Sequence, residues 1–166
     1  MIVETDLAYV AGIIDGEGSI VIYQRPMKKI IHHGKYGDRT PKHELNVSVG
    51  MTDRKIPYYL KDLFGGSVCG VTQRSGNRKP FWKWSVTGQR ASDLLKRLLP
   101  FLKTKALQAQ TAIVFQDTKK NNPKGGAGGS KQVPKEIINK RIELMEINKR
   151  LNGGYDPEFM GGYYDC

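Results

Sequence analysis

The stretch TDLAYVAGIIDGEGSI, residues Thr5–Ile20, begins as a helix and ends with an acidic residue between two glycines. Thr5 or Asp6 can cap this helix, and residues 7–15 supply its apolar body. Small residues recur four apart on one face of it, at Ala8, Gly12 and Gly16. Another backbone can approach such a face closely. A stripe of this kind more often packs on the protein's own core.

Glu17 is the unusual feature of this stretch, because it stands where the helix must end. A helix C-terminus carries about half a negative charge, so a carboxylate there calls for a positive group nearby. If two such helices packed through their small residues, two carboxylates and two carbonyl-rich helix ends would converge. Hard divalent cations such as Mg²⁺ prefer such oxygen ligands. Gly16 and Gly18 would let backbone and substrate approach that metal.

The composition is strongly basic. The 166 residues include 27 Lys+Arg against 16 Asp+Glu, a formal net charge of +11. This balance favours a polyanionic partner, usually nucleic acid. The sequence has no apolar run of the ~20 residues that span a bilayer, so no membrane partner is expected. Cys69 and Cys166 lack the spacing of a zinc site or a disulfide scaffold. We expect an intracellular, reducing location, in the cytoplasm or a DNA-containing organelle.

Strand pairs alternate with helices along the chain. Alternating polarity predicts strands at 19–25, 43–52, 67–74 and 81–87, and helical periodicity predicts helices at 55–64, 90–102, 106–119 and 135–151. Residues 26–42 are predicted to be a long, mobile hairpin connection. This order predicts one α+β domain over residues 1–166, of αββαββα type with a four-stranded antiparallel sheet and C-terminal helices. Its parts are a core at about 5–120, a Gly-rich linker at 121–133, a helix at 134–152 and an unassigned tail at 153–166.

The segment Val10–Gly18, VAGIIDGEG, resembles the nine-residue LAGLIDADG motif of homing endonucleases. Gly16 replaces an alanine, and Glu17 stands where the family more often has Asp. The following strand pair, the run Phe64-Gly65-Gly66 and the run Pro100-Phe101-Leu102-Lys103 extend the resemblance over residues 5–120. A single motif in a chain of this length is similar to the homodimeric branch of the family.

The resemblance implies an intron-encoded, sequence-specific double-strand DNA endonuclease. It would act as a homodimer on a long pseudo-palindromic site by hydrolysis that depends on Mg²⁺, for which Mn²⁺ can substitute, with no small-molecule cofactor. Glu17 and the Gly16 carbonyl would bind the metal, and Lys103 would stabilise developing negative charge. Asp53 would organise water, although an N-cap role is equally open. The implied dimer interface comprises Ala8, Ala11, Gly12 and Asp15.

One face of the sheet is expected to lie along the major groove of DNA, where base edges differ in donors and acceptors. The polar face of strand 43–52 predicts DNA contacts from Glu44, Asn46 and Ser48, joined by Tyr23 and Arg25. Burial of Trp82 and Trp84 would turn Lys83 and Ser85 toward DNA, with Gln73 and Arg78 nearby. In the long connection, Lys28 and Lys29 are expected to contact phosphates.

Two alternatives remain open from the sequence. The first keeps the fold without cleavage, as in an intron maturase or a transcriptional regulator. The second is a basic RNA-binding or ribosomal protein in which the glycine-flanked acid is only a turn. The second alternative predicts a monomer with no preference for a long DNA site.

Overall fold

The computed structural model describes residues 2–25, 31–32, 35–36, 42–71, 80–120 and 133–153. Its helices and strands follow the predicted order, so the predicted α+β fold is confirmed. They are α1 (Glu4–Glu17), β1 (Gly18–Gln24), β2 (Ile31–His32), β3 (Lys35–Tyr36), β4 (His43–Met51), α2 (Lys55–Phe64), β5 (Ser67–Val71), β6 (Phe81–Thr87), α3 (Gly88–Leu98), α4 (Ala106–Asp117) and α5 (Lys135–Asn152).

Four strands form one sheet in the order β1-β4-β6-β5, and every neighbouring pair is antiparallel. β1 is therefore an edge strand. The predicted long connection between β1 and β4 contains the short antiparallel pair β2-β3. Its remaining residues, 26–30, 33–34 and 37–41, lie outside the described residues, as do the linker at 121–132 and the tail from 154 onward.

The core lies on one face of this sheet, beneath the helices. The buried strand residues alternate along the chain, as side chains in strands do, and they are Ile20, Ile22, Leu45, Val47, Val49, Trp84 and Val86. Helices α1, α3 and α4 cover them with buried side chains that include Val10, Ile14, Leu95, Leu98 and Phe115. Among the described elements, no helix covers the opposite face of the sheet, and that face carries polar residues such as Asn46, Lys83 and Ser85.

The pair Gly65-Gly66 ends α2, as predicted, with φ angles of 72° and 89°. A Cβ at Gly66 would lie 2.5 Å from the Ser85 carbonyl oxygen, so a side chain there is sterically excluded. Trp84 Nε1 donates to the Gly65 carbonyl at 2.8 Å. The turn thereby ties α2 to the centre of the sheet.

The N-terminal cap of α1 differs from the predicted one. The helix begins at Glu4 after the N-cap residue Val3, and Asp6 lies inside its first turn. The Val3 N–H donates to Asp6 Oδ2 at 3.1 Å, so Asp6 still satisfies a free amide at the helix start.

The buried face of α5 is polar, and this was not predicted. The apolar residues Ile138, Ile142, Met145 and Leu151 recur at helical spacing and predict an apolar stripe, but none of them is fully buried and Ile142 is 41% exposed. The buried residues of α5 are Arg141, Leu144 and Asn148. The helix therefore docks through hydrogen-bonding side chains as well as apolar ones.

Two asparagines of α5 explain this docking. The Ile22 N–H donates to Asn148 Oδ1 at 3.0 Å, and Asn152 Nδ2 donates to the Ile20 carbonyl at 2.9 Å. An edge strand otherwise presents such backbone groups unpaired. α5 therefore covers the β1 edge of the sheet. Within the described ranges, no helix is long and apolar enough to cross a membrane.

Candidate active site and nucleic-acid interface

Helix α1 has two opposite faces of different character. Val10, Ala11 and Ile14 are fully buried in the protein core. Ala8, Gly12 and Gly16 are exposed, and an added Cβ at either glycine would meet no atom within 4 Å. Ala11, predicted at a dimer interface, therefore lies in the core and has no surface to offer a partner. The small residues Ala8, Gly12 and Gly16 instead form an exposed stripe.

The Asp15 carboxylate joins the end of α1 to the loop that follows α3. The Lys103 N–H donates to Asp15 Oδ2 at 2.7 Å, and the Lys105 N–H donates to Oδ1 at 2.9 Å. Burial raises the pKa of this carboxyl, but hydrogen bonds from Lys103, Lys105 and Thr104 outweigh it and hold the pKa below its usual range. Both oxygens of Asp15, predicted at the dimer interface, are thus used within the chain.

Lys105 supplies the positive charge that the end of α1 requires. Its Nζ donates to the Ile14 carbonyl at 3.0 Å and also to the Asp15 carbonyl. Lys103 contacts the helix end only through its backbone amide, and its side chain is exposed. Sequence reasoning missed Lys105, although it follows the recognised Pro100–Lys103 run by only two residues.

Glu17 is the last residue of α1, and its side chain is exposed beside the open position of Gly16. A carboxylate next to unobstructed backbone suits a hard cation such as Mg²⁺, which takes oxygen ligands and keeps several waters. Among the residues that the structure describes, no group of three or more His, Cys, Asp or Glu side chains could hold a metal ion. Glu17 would therefore hold a metal only together with further oxygen ligands, such as the Gly16 carbonyl, water or groups of another molecule.

Gly18 permits a tight turn within the chain, in addition to the expected role of letting a substrate approach the metal. A Cβ there would lie 2.6 Å from the Ile14 carbonyl oxygen, because the chain returns closely on α1 as it enters β1. Gly18 is thus required by this tight turn, whether or not a substrate approaches. Gly16, in contrast, has open space around it.

Asp53 precedes α2 and satisfies a backbone amide at the start of that helix. Its Oδ1 accepts a hydrogen bond from the Lys55 N–H at 2.9 Å, and its side chain is exposed. The N-cap residue of α2 is Arg54 and not Asp53, although Asp53 still binds an amide of the first turn from one position earlier. The water-organising role stays a prediction.

Tyr23, Arg25 and Glu44 form a polar cluster at one end of the sheet. Tyr23 Oη donates to Glu44 Oε2 at 2.9 Å, and Arg25 Nε forms an ion pair with the same oxygen. Burial and the neighbouring Glu44 raise the pKa of Tyr23. Arg25 remains more than half exposed, so the ion pair is weak in water.

The other predicted DNA-contacting residues differ in accessibility. Lys83 is exposed on the face of β6 that points away from the buried Trp84, and Asn46 is half-buried. Ser85 is half-buried, with its Oγ 3.2 Å from Ser67 Oγ. Ser48 is only 4% exposed, between Ser19 and Ser85 of the adjacent strands, so it offers almost no surface to a base. Lys28, Lys29, Gln73 and Arg78 lie outside the described residues.

Cys69 is a further residue on this surface that sequence reasoning did not select. It lies directly opposite Lys83 in the β5–β6 pair, and it is exposed. Directly paired residues share one face of a sheet. The alternation of strand 67–74 places Cys69 on one of the two faces of the sheet. It would have identified Cys69 only if the sequence had also shown which face of the second hairpin is exposed.

Comparison with known proteins agrees with these features. A sequence profile described as LAGLIDADG endonuclease matches residues 10–122, which is more than half of the chain. The chain belongs to the LAGLIDADG endonuclease family. The predicted resemblance is therefore confirmed, and the matched region contains Glu17, Lys103, Lys105 and the whole sheet. A search of curated proteins gave no match.

The fold is similar to that of solved LAGLIDADG homing endonucleases. I-CvuI in complex with its target is 18% identical, with a TM-score of 0.63 over 92% of this chain and 85% of that chain. Archaeal intron-encoded I-Vdi141I complexed with DNA is 14% identical, with a TM-score of 0.62 over 98% and 89%. I-GzeII in complex with its DNA target is 13% identical, with a TM-score of 0.62. The match includes 96% of this chain but only 49% of I-GzeII. At these identities the similarity shows the fold alone.

Proposed function

We propose that this protein is a site-specific DNA endonuclease that acts as a homodimer on a long pseudo-palindromic site. The observation that carries the proposal is the exposed stripe of α1, which leads directly to the exposed Glu17 carboxylate. Helices paired through this stripe would bring the Glu17 side chains and Gly16 carbonyls of two chains together. Membership of the family and the similarity to DNA-bound homing endonucleases support this function.

Glu17 and the Gly16 carbonyl would hold Mg²⁺, or Mn²⁺ in its place. When bound, the metal supplies Lewis-acid chemistry, polarising the scissile phosphate for attack by water. The exposed ammonium of Lys103 would neutralise charge that develops on the phosphate. Asp15 accepts a hydrogen bond from the Lys103 backbone amide at the end of α1. The segments that carry Glu17 and Lys103 are therefore joined directly.

The polar face of the sheet would bind the DNA. Asn46, Lys83 and Arg25 are the described side chains best able to reach base edges, and Glu44 would follow if Arg25 released it. Lys28, Lys29, Gln73 and Arg78 remain proposed contacts. Two half-sites of about one helical turn each give a target of roughly 20 bp. This activity requires a compartment that contains DNA, in the cytoplasm or an organelle.

Selection of cleaved sites from a randomised DNA library in Mg²⁺ would identify the target. On that target we expect Glu17→Gln to lower the single-turnover cleavage rate by about 100-fold or more, because it removes the metal-binding charge. Binding to the same DNA should change by less than about threefold. Glu143→Gln is a matched control, because Glu143 is an exposed carboxylate on α5 that forms an ion pair with the exposed Lys140.

Two results would contradict the proposal. If the wild-type protein binds a specific site but never cuts it with Mg²⁺ or Mn²⁺, the protein is a non-cleaving member of the family. If Glu17→Gln cuts as fast as wild type, Glu17 is not the metal-binding acid.

A further inference from the structure

We propose that Arg25 reads a guanine in each DNA half-site and that Glu44 is a positioning residue that holds Arg25 for this contact. The inference rests on the proposed function, because it concerns how the polar face of the sheet would recognise its target. The observation that carries it is a shared acceptor. Glu44 Oε2 accepts a hydrogen bond from Tyr23 Oη at 2.9 Å and another from Arg25 Nε.

The strand register brings these three side chains together. Tyr23 of β1 is paired with Glu44 of β4, and residues paired in this way share one face of a sheet. Arg25 lies two residues after Tyr23, so it belongs to the same face. Its N–H donates to the Lys42 carbonyl at 2.8 Å, which extends the strand pairing to Arg25 itself. The backbone that carries the guanidinium is therefore anchored to the neighbouring strand.

Glu44 is placed to bind groups of its own chain rather than a base edge. Its side chain is only 20% exposed, whereas that of Arg25 is 58% exposed. A carboxylate on a DNA-binding face repels phosphates unless cations neutralise it. Arg25 is one such cation, and Lys119 at the end of α4 is another. Burial lowers the pKa of Lys119, and the charge of Glu44 opposes that shift.

The part of Arg25 that remains for DNA matches guanine. The bond to Glu44 uses the Nε–H, and the two terminal Nη groups take no part in it. In the major groove, two parallel N–H donors fit the O6 and N7 acceptors of guanine. Adenine and cytosine present an amino donor there, and thymine presents a methyl group. An arginine that is already held also loses less side-chain freedom when it binds a base.

The ion pair would act mainly in the DNA complex. In the free protein it is weak, because Arg25 is exposed to water. Bound DNA would exclude water from the pair, and the attraction between its charges would then become stronger. Glu44→Gln keeps the size of the side chain, and Arg25→Gln changes an exposed position. Both variants should therefore fold.

The test is a binding selection from randomised duplex DNA in Ca²⁺, which does not depend on cleavage. For wild type we expect guanine at one position of each half-site. Arg25→Gln should lose about 5- to 150-fold of that preference and favour adenine instead, because glutamine pairs with adenine N6 and N7. Glu44→Gln should lower the guanine preference by about two- to tenfold without replacing it. Glu143→Gln, which alters an ion pair on α5, should keep every preference.

Two further readouts separate positioning from direct reading by Glu44. In the Arg25→Gln background, Glu44→Gln should change no base preference, because a positioning residue acts only through Arg25. The affinity of Glu44→Gln for duplex DNA of random sequence should rise about two- to fivefold, because the DNA-binding face loses a negative charge. Structural damage would instead weaken both specific and non-specific binding.

A guanine preference that survives Arg25→Gln, or one that Glu44→Gln leaves unchanged, would overturn the inference. If Glu44→Gln changes a base preference in the Arg25→Gln background, Glu44 reads a base itself and is not a positioning residue. If wild type selects a site but does not cut it in Mg²⁺, the proposed cleavage fails while the reading of guanine stands. If wild type selects no site, both fail.

Discussion

His43 shows how one buried residue can make the stability of this protein depend on pH. It is 5% exposed, and neither ring nitrogen has a hydrogen-bond partner among the described residues. Burial lowers its pKa, and the positive charges of Arg141 and Lys119 lower it further. Arg141 approaches from α5 and Lys119 from the end of α4, while Glu44 follows His43 on β4. His43 is therefore neutral in the folded protein at pH 7.

The sign of the resulting pH dependence follows from linkage. The unfolded chain protonates His43 near pH 6.5, whereas the folded chain does so only at lower pH. As the pH falls below about 6.5, the unfolded state binds more protons and the free energy of unfolding decreases until the folded pKa is reached. Each unit of pKa depression corresponds to about 1.4 kcal/mol. We expect His43→Leu to show a shallower loss of stability over this range in urea titrations at several pH values. An equally steep loss in the variant would assign the effect to other groups.

At the scale of elements, the sequence predicted those parts whose cause is local. The alternation of β4 and β6 and the glycine pair after α2 depend on neighbouring residues. The bounds of β4, β6 and α2 therefore agree with the predicted bounds to within a residue or two. The buried face of α5 could not be predicted in this way. Asn148 and Asn152 are buried or bonded because of β1, which lies more than 120 residues earlier. Lys105 was missed for the same reason, since its partners belong to α1.

The contact between α5 and the β1 edge can be tested by one substitution. Asn148→Ala would leave the Ile22 N–H without its acceptor in a buried position. A buried donor left unsatisfied costs about 1–3 kcal/mol, so we expect the free energy of unfolding in urea to fall by that amount. The Ile22 amide should also exchange faster with solvent. Asn139→Ala, on an exposed face of the same helix, is the control. Equal stabilities for the two variants would show that α5 does not support the edge through Asn148.

At the scale of the whole molecule, the described chain has two surfaces that suit different partners. The polar face of the sheet lies opposite the helices, in a protein with a formal net charge of +11. The exposed stripe of α1 is uncharged and lacks large side chains at Ala8, Gly12 and Gly16. Tyr9, 53% exposed, lies beside it. In the proposed function, DNA would contact the first surface, and a second copy of the same helix would pack against the second.

The homodimer is tested by enlarging the α1 stripe. A Cβ at Gly12 meets no atom within 4 Å, so Gly12→Leu should leave the single chain folded and even favour its helix by up to about 1 kcal/mol. If two chains pair through this stripe, the leucines would hold the helices apart and weaken the dimer by about 100-fold or more, because small residues permit the close approach. Sedimentation equilibrium should give the mass of two chains for wild type and of one chain for the variant. Gln110→Leu, which adds a leucine at an exposed position of α4, should remain dimeric. If the Gly12→Leu variant is still a dimer, the dimer interface lies elsewhere. If the wild-type protein is a monomer that still cuts both DNA strands, cleavage does not require a dimer.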